Sequence, residues 1–219
     1  EGLPGQFSGG IGYSESQSFI LNGSFVHSNF MGSGERVALE MLFGKYSSSY
    51  ALSHTDPYTN VDGVSRTVGV QYRDITQFVS AASDFSTVTK SASLEFGYPI
   101  SEFQGLRFGL VVQKSDLIVN PGNSAPEAVN WVRNNGNPYT RLIENEFPDG
   151  GDPDTDPDII VTPLFGTKFD TYELVTGWFF DSRNRAIFAD RGMRHSVSLA
   201  VTAPGSEVDY YVFNYDYLQ

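Results

Sequence analysis

No cysteine occurs in the 219 residues, which excludes a disulfide framework and a thiolate metal site. That fits a reducing compartment or an export route that avoids thiols, and does not choose between them. No apolar run approaches the ~20 residues of a membrane-crossing helix. Basic residues are scarce: 14 Lys and Arg face 26 Asp and Glu, a net charge of -12. The basic footprint of a nucleic-acid binder is missing, so no nucleic-acid partner is expected. A membrane is not excluded, because the acids can sit in loops. A nucleophile elbow, a P-loop and a His-x-x-x-His pair are also missing, and His27, His54 and His195 stand apart. No enzyme chemistry, metal or cofactor is expected. There is no signal peptide, and the chain starts at Glu1, which reads as a mature or excised fragment.

Glycine and aromatics are plentiful. There are 22 Gly, 12 Tyr and 17 Phe, and aromatics reach 14%. With few helical runs, this points to an all-β chain. The organising stretch is Thr55-Asp-Pro-Tyr-Thr-Asn-Val-Asp-Gly-Val-Ser-Arg66, which carries Asp56, Pro57, Tyr58, Asp62 and Gly63. Proline fixes φ and glycine supplies positive φ, so both make turns. Val68, Val70 and Tyr72 then alternate with Thr67, Gly69 and Gln71, which is strand periodicity. Similar turns recur at Gly34, Gly105 and Gly192, each followed within a few residues by Arg36, Arg107 or Arg194.

The spacing predicts about ten strands. Phe7, Gly9, Ile11 and Tyr13 alternate with Ser8, Gly10 and Gly12 in a glycine-rich first strand of weak register. Further strands are expected over 17–28, 36–44, 50–54, 65–76, 88–98 and 106–113. Pro99 is expected to end the strand before it, since it brings no N–H to a ladder. Residues 120–168 break the rhythm and read as a long loop, with a short helix over 127–134. It holds an acidic run, Asp149 to Asp158, that lacks the spacing of a calcium loop and reads as solvated. Strands resume over 170–181, 193–203 and 211–217.

Alternation suits a soluble sandwich as well as a membrane barrel. Three features favour the barrel. The polar face is Gly, Ser, Thr, Gln, Glu and Arg, as in a water-filled lumen. The apolar face ends in aromatics, Tyr13, Phe43, Tyr72, Tyr98, Phe180 and Tyr217, as interfacial girdles do. The Gly-Arg turns are short, and the other connections include the long acidic loop and the Ser/Thr/Asp-rich 77–87. The expected fold is an all-β, antiparallel up-and-down transmembrane β-barrel.

The chain resembles the barrel domain of the BamA family of outer-membrane assembly insertases. The resemblance rests on Gly10-Ile-Gly-Tyr13, Asn29-Phe-Met-Gly-Ser-Gly34, Thr55-Asp-Pro-Tyr58 with Asp62-Gly-Val-Ser65, Phe96-Gly-Tyr-Pro-Ile100 and Pro204-Gly-Ser-Glu-Val-Asp-Tyr-Tyr211. It implies a single partial barrel domain over 1–219, with about ten of the family's roughly sixteen strands. The family's periplasmic POTRA domains, its later Val-Arg-Gly-Phe-type loop and its last strands are not in the chain. It implies a bacterial outer-membrane location and partners in outer-membrane lipids, unfolded outer-membrane proteins and accessory lipoproteins reached through POTRA domains. Loop 120–168 would be extracellular and the Gly-Arg turns periplasmic. The first strand, Phe7 to Tyr13, would be the edge of a lateral gate that templates an incoming strand. A two-partner-secretion or TamA-like transporter is the nearest alternative, and a soluble adhesin or carbohydrate-binding sandwich the more distant one. Unpaired outer strands would close on each other or pair edge to edge in a homodimer.

Overall fold

The computed structural model describes residues 5–15, 18–77, 85–146, 159–185 and 190–218. Its strands are β1 (Gly5–Ser14), β2 (Ser18–His27), β3 (Arg36–Phe43), β4 (Ser47–Asp56), β5 (Ser65–Gln77), β6 (Phe85–Ser101), β7 (Gln104–Val119), β8 (Asn137–Glu146), β9 (Ile159–Asp181), β10 (Arg194–Thr202) and β11 (Tyr211–Leu218), with one α-helix, α1 (Pro126–Asn134), and a 3-10 turn at Phe30–Gly32. They form an 11-stranded sheet in the order β1-β2-β3-β4-β5-β6-β7-β9-β10-β11, with β8 off this path on β9. Every pairing is antiparallel. The meander expected from the alternation is there, with one strand added.

The register shows why this sequence makes a wall. Gly5, His27, Val37, His54, Val68, Leu94, Leu110, Leu174, Val201 and Tyr211 are successive partners on one face. The neighbouring row on that face runs Phe7, Phe25, Leu39, Leu52, Val70, Ala92, Val112 and Tyr172. Many of these side chains are exposed: Phe7 79%, Val70 52%, Leu174 56% and Tyr211 77%. A continuous exposed apolar band on a sheet marks a surface that meets something other than water. The opposite face is polar. There Ser8, Asn22, Ser24, Glu40, Ser49, Gln71 and Arg73 line a depression of about 490 Å³.

Three expectations are corrected. The region 120–168 is not one long loop: α1 follows β7, then β8 forms, and β9 begins at Ile159 rather than at 170. β9 is therefore 23 residues long. Pro99 does not end its strand, because β6 runs on to Ser101 with a register shift between Pro99 and Ser101. Beyond Gly97 the adjacent strand β5 offers β6 no partner, and a free edge with a bulge tolerates an imide nitrogen. The acidic run at 149–158 and most of the stretch 77–87 lie outside the described residues.

A small core sits at one end of the wall. Val119, Val129 and Val132 are buried together, with Phe85, Leu117, Trp131 and Phe165 packed round them. Phe85 and Phe165 are the register partners of Val119, on the polar-face side of the sheet. Helix α1 therefore folds over the inner face. Pro126 starts the helix, where a missing N–H costs nothing. Gly136, at φ 65°, turns the chain away, and a Cβ there would meet Lys168 O at 2.7 Å. The Trp131 ring stands edge-on to Phe169 with centroids 5.6 Å apart, and the Arg133 guanidinium lies 4.0 Å over the Phe165 ring.

The edge of β9 is used three times. Glu173–Asp181 pairs with β10, and Ile159–Lys168 pairs with β8. The gap between them is filled by the β10–β11 turn. There Glu207 N donates to Asp170 O at 2.9 Å, Ala203 N donates to Tyr172 O at 2.6 Å and Asp170 N donates to the Glu207 carboxylate at 2.8 Å. This is the structural use of Pro204-Gly-Ser-Glu207. The Tyr210 phenol donates to Glu173. Burial and that bond push its pKa up to about 12.

Candidate strand-templating edge and the turns of one rim

β1 is paired to β2 alone, and its other edge has no partner among the described residues. The register sets Phe7 on Phe25, Ser8 on Ser24, Gly9 on Gly23, Gly10 on Asn22, Ile11 on Leu21, Gly12 on Ile20 and Tyr13 on Phe19. The side chains tie it down weakly. Tyr13 and Phe19 meet at 5.1 Å between centroids, and the Ser8 and Ser24 hydroxyls share a bond of 2.7 Å. Phe7, Ile11 and Tyr13 remain 79%, 78% and 67% exposed. A Cβ at Gly12 would touch nothing, whereas one at Gly10 would meet the Asn22 amide oxygen at 2.5 Å. The strand is thus backbone with few anchors, and its free N–H and C=O groups are a template for another strand.

The turns after β2, β4, β6 and β9 must lie at one end of an antiparallel meander. Gly34 (φ 79°) accepts the left-handed position in the first, and its N–H donates to the Asn29 side chain at 2.7 Å. In the second, the Asp56 carboxylate accepts from Tyr58 N at 3.0 Å and lies 3.8 Å from Arg66. Pro57 sits between them, and Tyr58 is 78% exposed. Asp62 donates its N–H to the Asn60 amide oxygen at 3.1 Å, and Val64 N does the same at 3.0 Å. Gly63 completes this turn at φ 77°. Asn29 and Asn60 are thus turn organisers that the Gly-Arg reading missed. Asn side chains that bond backbone two to five residues on are a legible signal.

Gly105 and Arg107 are not turn residues; both lie inside β7. A Cβ at Gly105 would meet the Phe179 ring at 2.8 Å, so this glycine is kept for packing. Arg107 has Gly97 and Gly177 as its partners on the inner face. Arg36 opens β3. Gly192 needs φ 99°, and a Cβ there would meet Ser182 O. Beside it, the Arg183 guanidinium donates two bonds to Asp181, at 2.9 and 2.8 Å, and its backbone N–H a third at 3.2 Å. They hold the Asp181 carboxyl at about 2, below the ordinary range. Among the described residues, no group of three carboxylates or histidines could hold a metal ion.

An antiparallel meander with an apolar outer band, a polar lining and aromatic ends is the wall of a transmembrane β-barrel. The Omp85 superfamily domain matches residues 29–219, and the chain belongs to that superfamily. It is 26% identical over 202 residues to the outer membrane protein assembly factor BamA of Neisseria meningitidis, covering 91% of this chain and 22% of that protein. It is 27% identical over 117 residues to BamA of Nitratidesulfovibrio vulgaris, covering 52% of this chain and 14% of that protein. The crystal structure of BamA from Haemophilus ducreyi lacking POTRA domains 1–3 superposes with a TM-score of 0.68 at 23% identity, over 99% of this chain and 37% of that one. The chain thus spans about a fifth of the first relative's length. It is an outer-membrane barrel wall of the Omp85 superfamily.

Proposed function

We propose that this wall belongs to a factor that folds and inserts β-barrel proteins into the outer membrane, with β1 as the templating edge. The observation that carries this reading is the one-sided pairing of a glycine-rich strand. An unfolded outer-membrane protein would add its strand to β1 by backbone hydrogen bonds. No bond is made or broken, so the activity is not enzymatic. Outer-membrane lipid meets the apolar band. Accessory lipoproteins would act through parts of the longer protein. The turns at Gly34, Gly63 and Gly192 would face the periplasm and α1 the exterior. The test is disulfide trapping in the full-length protein, with Ile11→Cys against cysteines placed along the terminal strand of a stalled substrate. Cross-links at every second position support the template, and their absence while assembly proceeds overturns it.

Among the described residues β11 is also paired on one side only, which favours a second reading for the chain alone: edge-to-edge pairing of two copies. Cysteines at 11 and 213, which lie on the same outward face, would cross-link between chains in that case. Cross-links within one chain would instead mean self-closure.

A further inference from the structure

The apolar band stops at one register across the tallest strands. On β6 the outward residues Tyr98, Phe96, Leu94 and Ala92 give way to Lys90, and on β7 Leu106, Phe108, Leu110 and Val112 give way to Lys114. On β9, Trp178, Leu174 and Tyr172 give way to Asp170 and Lys168. Each apolar run spans seven residues of its strand, 92–98, 106–112 and 172–178, and 11 with the next outward residue at each end, about the 9–11 that span a bilayer. Lys90 and Lys114 are direct partners on adjacent strands, and like charges placed so are destabilising. All four lysines of the chain, Lys45, Lys90, Lys114 and Lys168, lie towards this end of the sheet. Three of them lie over tyrosines: Lys45 over Tyr46, Lys90 over Tyr72 and Lys168 over Tyr139, at 5.0, 6.0 and 5.3 Å.

Carboxylates share the ledge, and Asp170 and Asp116 are each set against one of its lysines. Asp170 takes Lys114 at 3.0 Å. Glu207 accepts from Asp170 N and from the Asn137 amide, both at 2.8 Å. Asp116 accepts the Tyr139 phenol at 2.7 Å and stands 4.0 Å from Lys168. Asp74 takes the Tyr72 and Thr76 hydroxyls, at 3.4 and 3.5 Å. Lys90 has no ion pair among the described residues, and the Lys168 side chain is 66% exposed. Lys90, Lys114 and Lys168 line one open depression of about 420 Å³.

We infer that this ledge binds the phosphate of lipid headgroups in the adjoining leaflet. A lysine stem lies along apolar surface while its ammonium reaches the headgroup level, and lysine serves phosphate as a point charge. The occupant is a lipid rather than a free anion because the ledge is continuous with Val112 and Tyr172 below it, where acyl chains run. The inference rests on the barrel and is independent of strand templating.

The test titrates short-chain phosphatidic acid into the detergent-solubilised full-length protein and reads binding by native mass spectrometry. Short-chain phosphatidylcholine and inorganic phosphate are the comparisons. Phosphatidic acid should bind, and the double variant Lys90→Gln/Lys168→Gln should weaken it about 10- to 30-fold. Lys90→Arg/Lys168→Arg should keep most of the affinity, which shows that charge and not the fold is read. Undiminished binding by the glutamine variant overturns the inference. Equal binding of phosphatidylcholine also overturns it, as does equal affinity for inorganic phosphate. Loss of binding in both double variants would place the effect in the fold and likewise reject the ledge.

Discussion

The two halves of this wall are built on opposite terms. β7 and β9 are paired from Gln104↔Phe180 to Val119↔Phe165, and α1 seals their inner face with Val132 fully buried. β1 is held over 10 residues by β2 alone, and no fully buried side chain sits on it. One half is a scaffold with a local core, and the other is a strand whose removal uncovers little. Stability that differs this much within one sheet means that β1 separates from its neighbour at lower cost than β7 or β9 would.

The largest expected effect breaks the strong half. Val132→Asp would bury an uncompensated charge against Val119 and cost about 3–5 kcal/mol. Hydrogen exchange should rise across α1, β8 and the start of β9 and stay unchanged over β1–β4. A uniform rise would mean that the two halves are one cooperative unit. Next in size is Leu39→Arg in the outward band, expected to cost about 2–4 kcal/mol if it sits near the midplane. Cysteines at 39 and 41 should react poorly with a water-soluble thiol reagent in membranes, and one at 40 should react well. Position 38 is a poor inner-face probe, because Ala38 is only 5% exposed. Strong labelling at 39 and 41 would turn the wall inside out.

The strong and weak halves were not equally legible in the sequence. Period-two alternation and Gly-rich turns are local signals, so the ten-strand path could be read along the chain. Long-range pairing is not local. Nothing in Tyr139 or Arg141 announces a strand, because β8 owes its form to the edge of β9 beside it. Pro99 misled for the same reason: whether a proline breaks a strand depends on whether its neighbour still needs that N–H. The first strand was legible as weak from Gly9, Gly10 and Gly12 and as an edge only through the family resemblance, and the sheet order ends at it. The lysine ledge was invisible because its residues are spread over 78 positions, from Lys90 to Lys168.

Two glycine substitutions sharpen the comparison at smaller scale. Gly12→Ala adds a methyl group in open space and should stabilise β1 by about 0.5–1 kcal/mol. Opening of β1 from β2 should then fall about 2- to 5-fold, read by exchange at residues 7–13, and substrate assembly should slow with it. Gly166→Ala should act in the opposite direction, because its Cβ would meet the Tyr139 ring. That ring must move, with loss of its bond to Asp116. Equal responses at the two sites would erase the distinction between edge and scaffold.

The smallest effect lies at the rim where the two halves are alike, in the turn between β9 and β10. Asp181 is held at about 2 by Arg183, against an ordinary value near ~3.9. A carboxyl lowered on folding favours the folded turn at every pH above its unfolded value. That contribution fades as pH falls from about 4 through about 2. The Asp181 side chain keeps 33% of its surface in water, so the pair's share of global stability should be slight. The readable quantity is the titration itself. In Arg183→Gln the Asp181 carboxyl should titrate close to its ordinary value, followed by carboxyl carbon NMR. Exchange of the Ser182 and Met193 amides should lose its acid-dependent step. If Asp181 stays near 2 without Arg183, the cause lies elsewhere, and Arg194, its register partner on β10, is the next residue to change.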